Sequence, residues 1–216
     1  MHDLARELLT LAGDGSRRVL VGVTGAPGAG KTTLVEDLVA ALRDVPPPGH
    51  RPGEWIAHVP MDGFHLADAA LEWLGLLDRK GAAPTFDAHG YLALLRRLRA
   101  DGRETVWAPA FERDLEQPVA GAIGVAPAAR LVLTEGNYLL LADDPWPAVA
   151  AELDRVWFVD PPDDVRRQRL VDRHVRFGKS PELARQWVRD VDEPNAGRVR
   201  ATRHRADRVV ACPRRG

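Results

Sequence analysis

An eight-residue segment, GAPGAGKT at positions 25–32, has the residue types and spacing that hold a phosphate chain. It directly follows the apolar run at 19–23, which is the strand context that a P-loop requires. Its glycines let backbone N–H groups converge on phosphate oxygens, and the helix after it directs its positive end there. Lys31 is predicted to neutralise the β and γ phosphates, and Thr32 to bind Mg²⁺. The predicted nucleotide-binding residues are Gly25, Ala26, Pro27, Gly28, Ala29, Gly30, Lys31, Thr32 and Thr33.

Two acidic residues follow predicted strands and are candidates for the same site. Glu135 comes directly after the apolar run at 131–134, which places its carboxylate at the strand edge where ligands of open α/β sheets bind. We expect it to hold Mg²⁺ together with Thr32. Asp62 follows the run at 56–61, inside MDGFH, and is predicted to be the base that deprotonates an attacking hydroxyl. An ordinary Asp-Gly turn is the alternative interpretation of Asp62.

Arginines concentrate between residues 163 and 179, in a segment with helical spacing. Guanidinium groups clamp phosphate oxygens well, so the cluster favours a phosphate-closing lid, with Arg173 and Arg176 as its catalytic members beside Lys31 and Asp62. A solvated charged helix face is the alternative. The cluster consists of Arg166, Arg169, Arg173 and Arg176, whose spacing of three or four allows a shared face, and Arg167, which points elsewhere.

Composition excludes several classes of partner. The chain has 216 residues, a formal net charge of -1 and 45% hydrophobic residues, as expected of an ordinary globular protein. It has neither a basic stripe with interleaved aromatics nor an apolar run of about 20 residues, so we expect no nucleic-acid or membrane partner and a cytoplasmic location. The lone Cys212 is interpreted as structural. Only 3 of the 30 basic residues are lysine, which makes the position of Lys31 informative.

Apolar runs and helical patterns alternate along the chain. Strands are predicted at 18–24, 55–61, 130–134, 155–159 and 207–211, and helices at 31–43, 89–100, 163–177 and 181–191. This alternation predicts an α/β fold with a parallel, doubly wound sheet, formed by one domain that spans residues 1–216. Residues 45–53 and 117–128 are predicted to be loops because glycine and proline interrupt them, and 101–119 is too mixed to assign.

Taken together, the motifs resemble the phosphoribulokinase, uridine kinase and pantothenate kinase family. The resemblance rests on GAPGAGKT, MDGFH, TFDAHGY at 85–91, LTEGNYLL at 133–140 and the arginine-rich helix, and it spans nearly the whole chain. It implies a P-loop NTPase fold with a helical lid at about 163–193, and transfer of the γ-phosphate of ATP, with Mg²⁺, to a hydroxyl of a small metabolite. By the same resemblance Asp62 is the general base and Asp87 contacts the acceptor.

The resemblance also implies an acceptor pocket. By matching motifs, its candidate residues are His65, Phe86, Asp87, His89 and Tyr91. The segment APAFERD at 108–114 resembles the part of the family that places an aromatic and a basic side chain over the acceptor, which adds Phe111 and Arg113. Nucleosides, pantothenate and sugars all remain open as acceptors, and a homodimer is also left open.

Two other functions compete with a metabolite kinase. A GTPase is disfavoured because neither Lys80 nor Lys179 lies in an Asn/Thr-Lys-x-Asp guanine-reading motif. A regulatory ATP-binding switch that acts on a protein partner is compatible with the P-loop. Asp62 separates the two hypotheses, since a switch does not require an acceptor base.

Overall fold

The computed structural model describes residues 1–211, so Cys212 lies outside the described residues. Within this range the central sheet has five parallel strands in the order β2-β5-β1-β6-β7. Strand β1 is buried along its whole length, as expected for a parallel sheet covered on both faces. The predicted α/β class is confirmed. The strands are β1 (Val19–Thr24), β2 (Ile56–Pro60), β5 (Leu131–Glu135), β6 (Arg155–Val159) and β7 (Arg208–Val210), with β3 (Val106–Glu112) and β4 (Gln117–Val125) forming a separate pair.

Helices cover both faces of the sheet and enclose two apolar clusters. On one face, Leu95 of α4 and Trp146 of α5 pack with buried side chains of the sheet. On the other face, Leu8 of α1 and Leu38 of α2 pack with Trp55. The helices are α1 (His2–Ala12), α2 (Lys31–Leu42), α3 (Asp68–Leu74), α4 (Ala88–Arg99), α5 (Trp146–Ala151), α6 (Asp163–Arg176), α7 (Pro181–Trp187) and α8 (Glu193–Arg200).

The segment at 163–193 that we predicted to be a lid is helical. Helix α6 begins after Pro162 with Asp163 and Asp164 in its first turn and ends with basic residues in its last turn, which matches the helix dipole at both ends. Helix α7 is capped by the side chain of Ser180. A π-helical turn at Val188–Asp192 then joins α7 to α8.

The predicted loop at 117–128 is wrong over most of its length. Residues Gln117–Val125 form β4, which pairs antiparallel with β3 in a hairpin outside the central sheet. Most of β4 is at least partly exposed, so its side chains do not alternate between apolar and polar, and the pattern that identifies a half-buried strand is missing. Helix α1 was likewise not expected.

No helix within residues 1–211 has the length and apolar character needed to cross a membrane.

His58 provides a test of packing between β2 and α2. Its Nε2 atom is buried without a hydrogen-bond partner, and burial lowers the pKa of His58 from 6.5 to about 4. Between these pH values the unfolded chain binds more protons, so the free energy of unfolding decreases as the pH falls. Between pH 6.5 and 4 we expect the free energy of unfolding of the wild type to fall by about 2 kcal/mol more than that of His58→Leu. Urea unfolding across this pH range measures the difference, and equal losses would contradict it.

Candidate active site

The register of the parallel strands brings the P-loop and the two predicted acids to one edge of the sheet. Glu135, the last residue of β5, is paired with Val23 of β1 and with Pro60 of β2. The P-loop therefore begins two residues after Val23, and Asp62 follows two residues after Pro60. A cleft of about 700 Å³ lies at this edge. Predicted site residues that line the cleft are Pro27, Gly28, Gly30, Lys31, Thr32, Thr33, Asp62, His65, Phe86, Phe111, Arg113, Glu135 and Arg173.

The P-loop depends on glycine where it passes under α6. Gly28 has a φ of 76°, and a Cβ atom there would lie 2.8 Å from the carbonyl oxygen of Arg166. Gly30 has a φ of 92° and forms the N-cap of α2. Both positions favour glycine because their φ angles are positive. At Gly28 the close packing against Arg166 also leaves no room for a Cβ atom. Gly25, Ala26 and Ala29 belong to the same loop but do not line the cleft.

Lys31 is buried and its ammonium group is fully hydrogen bonded. Its Nζ donates to the carbonyl oxygens of Gly25 at 3.0 Å and Ala26 at 3.2 Å, and to Oδ1 of Asn137 at 2.5 Å. Burial lowers the pKa of Lys31, whereas the carboxylates of Glu135 and Asp62 oppose this effect. The loop thus holds a compact positive charge at the cleft edge, where a phosphate chain requires one.

Thr32 and Glu135 form the polar pair that we predicted as a metal site. Oγ1 of Thr32 donates to Oε1 of Glu135 at 2.9 Å. Burial and the neighbouring carboxylate of Asp62 raise the pKa of Glu135, and Lys31 counteracts them. The described residues contain no cluster of three or more His, Cys, Asp or Glu side chains suited to a metal. One hydroxyl and one carboxylate nevertheless fit Mg²⁺, which in phosphate sites takes few protein ligands and completes its shell with phosphate and water.

Asp62 lies in a tight turn pressed against the β3–β4 hairpin. The turn occupies Met61–Phe64, and a Cβ atom on Gly63 would lie 2.2 Å from the carbonyl oxygen of Pro109. From the hairpin, Nη2 of Arg113 donates to Oδ2 of Asp62 at 2.9 Å. The carboxylate is partly exposed to the cleft. The hairpin therefore positions both the predicted base and its cationic partner.

Aromatic rings line the side of the cleft next to Asp62. The His65 ring lies 4.0 Å from that of Phe86 and 4.6 Å from that of Phe111, measured between centroids. Nδ1 of His65 is 2.7 Å from the carbonyl oxygen of Asp62. Burial lowers the pKa of His65, which favours its neutral form. These rings provide apolar faces beside a polar reaction centre.

Three predicted acceptor residues do not line this cleft. Asp87 is exposed and caps α4, accepting a hydrogen bond from the backbone N–H of Gly90 at 2.8 Å. His89 is exposed, with its Nε2 3.9 Å from a carboxylate oxygen of Asp144. Tyr91 is fully buried, and its hydroxyl hydrogen bonds with that of Thr134 at 2.6 Å. Asp87 therefore caps a helix, His89 lies on the surface and Tyr91 packs in the core.

The arginines of α6 divide into separate groups. Arg169 and Arg173 line the cleft, and burial, with a contribution from Arg113, lowers the pKa of Arg173. Arg166 is instead 1% exposed and donates to the P-loop carbonyl of Pro27 at 3.3 Å, so it packs under the loop. Arg176 is exposed and does not line the cleft. The four residues therefore do not act as one phosphate-facing row.

Several cleft residues were not assigned from the sequence. Asn137 stands two residues after Glu135 and binds Lys31, so its position after the acid was an available signal. His174 Nε2 lies 2.8 Å from Oδ2 of Asp192, and this pair links α6 to the π-helical turn. Lys179 lies 4.8 Å above the ring of Trp187. No local motif marks the contacts of His174 and Lys179.

The sheet order, the P-loop after β1 and the acid at the end of β5 define the chain as a P-loop nucleotide-binding protein. The family model of the methylmalonyl Co-A mutase-associated GTPase MeaB matches residues 1–53. That segment contains the P-loop, which GTPases share with ATP-dependent kinases.

Comparisons over longer stretches identify the family. An ATP-dependent kinase-like protein from Aspergillus versicolor is 38% identical, covering 57% of this chain and 76% of its own. A provisionally assigned uridine kinase from Schizosaccharomyces pombe is 34% identical, covering 75% and 68%. The crystal structure of a provisionally assigned fructose transport system kinase from Silicibacter sp. TM1040 has a TM-score of 0.85 and 37% identity, covering 96% and 97%. The chain belongs to the phosphoribulokinase, uridine kinase and pantothenate kinase family of P-loop kinases.

The neighbouring residues Arg166 and Arg167 test the support under the P-loop. Both donate to Glu193, but Arg166 is buried and also binds Pro27 and Asp163, whereas Arg167 is half exposed. Arg166→Met removes a buried guanidinium group and its charge-assisted hydrogen bonds, while Asp163 and Glu193 keep Arg200 and Arg167 as partners, so we expect it to lower the free energy of unfolding by about 1.5–3 kcal/mol. Arg167→Met should cost less than about 1 kcal/mol. Chemical unfolding of both variants measures this, and similar losses would refute the assigned role.

Proposed function

We propose that this chain is a kinase that transfers the γ-phosphate of ATP to a hydroxyl of a small metabolite, with Mg²⁺ as cofactor. The observation that carries the proposal is the meeting of the P-loop and Asp62 in one cleft. Asp62 lines the same cleft as Lys31 and Glu135. A carboxylate beside the P-loop is the group that an acceptor hydroxyl requires for deprotonation.

On the acceptor side, Asp62 would accept the proton of the attacking hydroxyl. The turn at Met61–Phe64 fixes its backbone against the hairpin, and the rings of His65, Phe86 and Phe111 form a wall on which a metabolite can be oriented. Holding the hydroxyl in a reactive geometry accounts for much of the rate enhancement that such a site provides.

On the donor side, P-loop amides and Lys31 would bind the phosphate chain, and Thr32 with Glu135 would hold Mg²⁺. When bound, the metal supplies charge neutralisation on the phosphate oxygens. Asn137 supports this arrangement by fixing the ammonium of Lys31, and its own backbone carbonyl accepts a hydrogen bond from Thr24. Arg169 and Arg173 face the cleft from α6, the position from which guanidinium groups can stabilise charge on a transferred phosphoryl group.

The predicted lid supports a kinase by limiting access of water to the cleft. Leu170, Phe177 and Trp187 contribute apolar surface to its lining. Exclusion of water favours transfer to the acceptor over hydrolysis of ATP.

Asp62→Asn tests the proposal directly. We expect the variant to lose about 100-fold or more of its acceptor-dependent ADP formation, because amide replaces the proton acceptor. Its dissociation constant for MgATP should stay within about threefold of the wild-type value, a change of less than about 1.4 kcal/mol in binding free energy. The measurement is ADP release with a panel of nucleosides, pantothenate, ketoses and aldoses, alongside MgATP binding by calorimetry. Asp78→Asn is the matched control, since Asp78 is exposed and does not line the cleft.

A nucleotide-dependent switch is the second candidate, and the match of residues 1–53 to a GTPase family is the observation that favours it. A switch would bind nucleotide and hydrolyse it slowly, with no dependence on any acceptor and no loss in Asp62→Asn. Preference for GTP over ATP in the binding assay would further support it.

Glu135→Gln tests the predicted metal site. The amide retains a hydrogen-bond acceptor for Thr32 but lacks the charge that attracts Mg²⁺. We expect the Mg²⁺ concentration that gives half-maximal enhancement of ATP affinity to rise about tenfold or more. Calorimetric titrations of ATP at several Mg²⁺ concentrations measure it, and an unchanged Mg²⁺ dependence would remove Glu135 from the site.

A further inference from the structure

All three lysines of the chain lie in the same cleft. The other 27 basic residues are arginine, and of those within residues 1–211 the cleft lining includes only Arg113, Arg169 and Arg173. A general preference for arginine acts along the whole chain, so lysine persists where a compact, rotatable ammonium group serves better than a planar guanidinium group. Lys31 meets this description in the P-loop. Lys80 and Lys179 have no role in the donor site described above.

Lys80 and Arg113 lie beside the same ring of the acceptor wall. Lys80 Nζ is 5.6 Å and Arg113 Cζ is 5.3 Å from the centroid of Phe111. Lys80 is held in place by Asp68 at 2.6 Å and by the carbonyl oxygen of Glu116 at 2.5 Å. Together with burial, which has the larger effect, both cations lower the pKa of His65, so the three side chains share one environment.

Arg173 of α6 adds a third positive charge to the cleft lining, and its side chain is partly buried. Arg113 contributes to the lowered pKa of Arg173, so these two like charges lie near one another in the cleft. Like charges that face each other over an open space are stabilised when an anion lies between them.

We propose that the acceptor carries an anionic group, a phosphate or a carboxylate, in addition to the hydroxyl that is phosphorylated, and that Lys80 and Arg113 bind this group. The proposal rests on the kinase function proposed above and narrows its substrate class. Ammonium and guanidinium groups form charge-assisted hydrogen bonds with both kinds of anion. Both cations lie beside the Phe111 ring, Lys80 Nζ at 5.6 Å and Arg113 Cζ at 5.3 Å from its centroid, so one anionic group there can contact both.

Binding of such an acceptor would also release Asp62. The ion pair between Arg113 and Asp62 is partly exposed, with 44% and 27% of the respective side chains accessible, so it contributes little stability. An incoming anion can therefore take the guanidinium group of Arg113 as its own partner. Asp62 then becomes available for the hydroxyl proton in the same event. The base would be unmasked when the acceptor is present and paired when it is absent.

The binding experiment uses two probes that distinguish the anion sources, inorganic phosphate and acetate, titrated by calorimetry into the full-length protein saturated with MgADP. We expect at least one probe to bind, and Lys80→Met to weaken that binding about tenfold or more through loss of a charge-assisted contact. Arg79→Met removes the same charge from an exposed neighbour outside the cleft and should have less than about a twofold effect. Arg113→Gln removes the second cation if Lys80→Met does not fold.

The proposal is overturned if neither probe binds, if Lys80→Met and Arg113→Gln leave the binding unchanged, or if Arg79→Met causes an equal loss.

Turnover provides an independent measurement with matched acceptors, an aldopentose against its phosphate ester and a polyol against the corresponding hydroxy acid. We expect kcat/KM for one anionic member to exceed that of its neutral partner, with the preference lost in Lys80→Met. Equal turnover of neutral and anionic members overturns the anion site alone. If ADP formation depends on none of the acceptors while phosphate binding still depends on Lys80, the proposed kinase function is overturned instead.

Discussion

Parallel pairing at the end of β5 is the constraint on which the site depends. Glu135 is in register with Val23 on one side and with Pro60 on the other, so three chain segments leave the sheet at the same level. The P-loop, the predicted metal-site acid and the predicted base thus become neighbours although more than a hundred residues separate Lys31 from Glu135. A slip of one residue in either pairing would turn the side chains of that strand to the other face. Burial on both faces of β1 opposes such a slip.

Burial then sets the electrostatics of this edge. Lys31 and Glu135 are both nearly inaccessible to solvent, and each offsets part of the other's desolvation. The ammonium group is satisfied by two loop carbonyls and Asn137, so it does not collapse onto the carboxylate. Desolvation strengthens the attraction of the Lys31 ammonium group for a polyanion, because water no longer competes with it. Arg166 maintains the arrangement from below by binding the carbonyl oxygen of Pro27.

The sheet and the phosphate-binding loop were predictable from sequence, whereas the lining of the cleft beside Asp62 was only partly so. Apolar runs in a parallel sheet are continuous, and the P-loop has a strict spacing, so the central strands and Lys31 are identified locally. The β3–β4 hairpin was missed because its exposed strand lacks apolar alternation. Asp87 and Tyr91 matched a motif, yet the fold uses one as a helix cap and the other in the core. Arg166 shares the spacing of Arg169 and Arg173, and only tertiary packing separates their positions.

The hairpin that carries Phe111 and Arg113 is a two-stranded sheet of its own, which packs against the turn that holds Asp62 and contributes Val106, Ala108 and Val125 to the apolar core. Its strands contribute no hydrogen bonds to the five-stranded sheet. Substitutions at its exposed positions therefore leave the strand register and the phosphate-binding loop intact. Such a division would let related chains vary the hairpin side of the cleft while they keep one phosphate-binding loop.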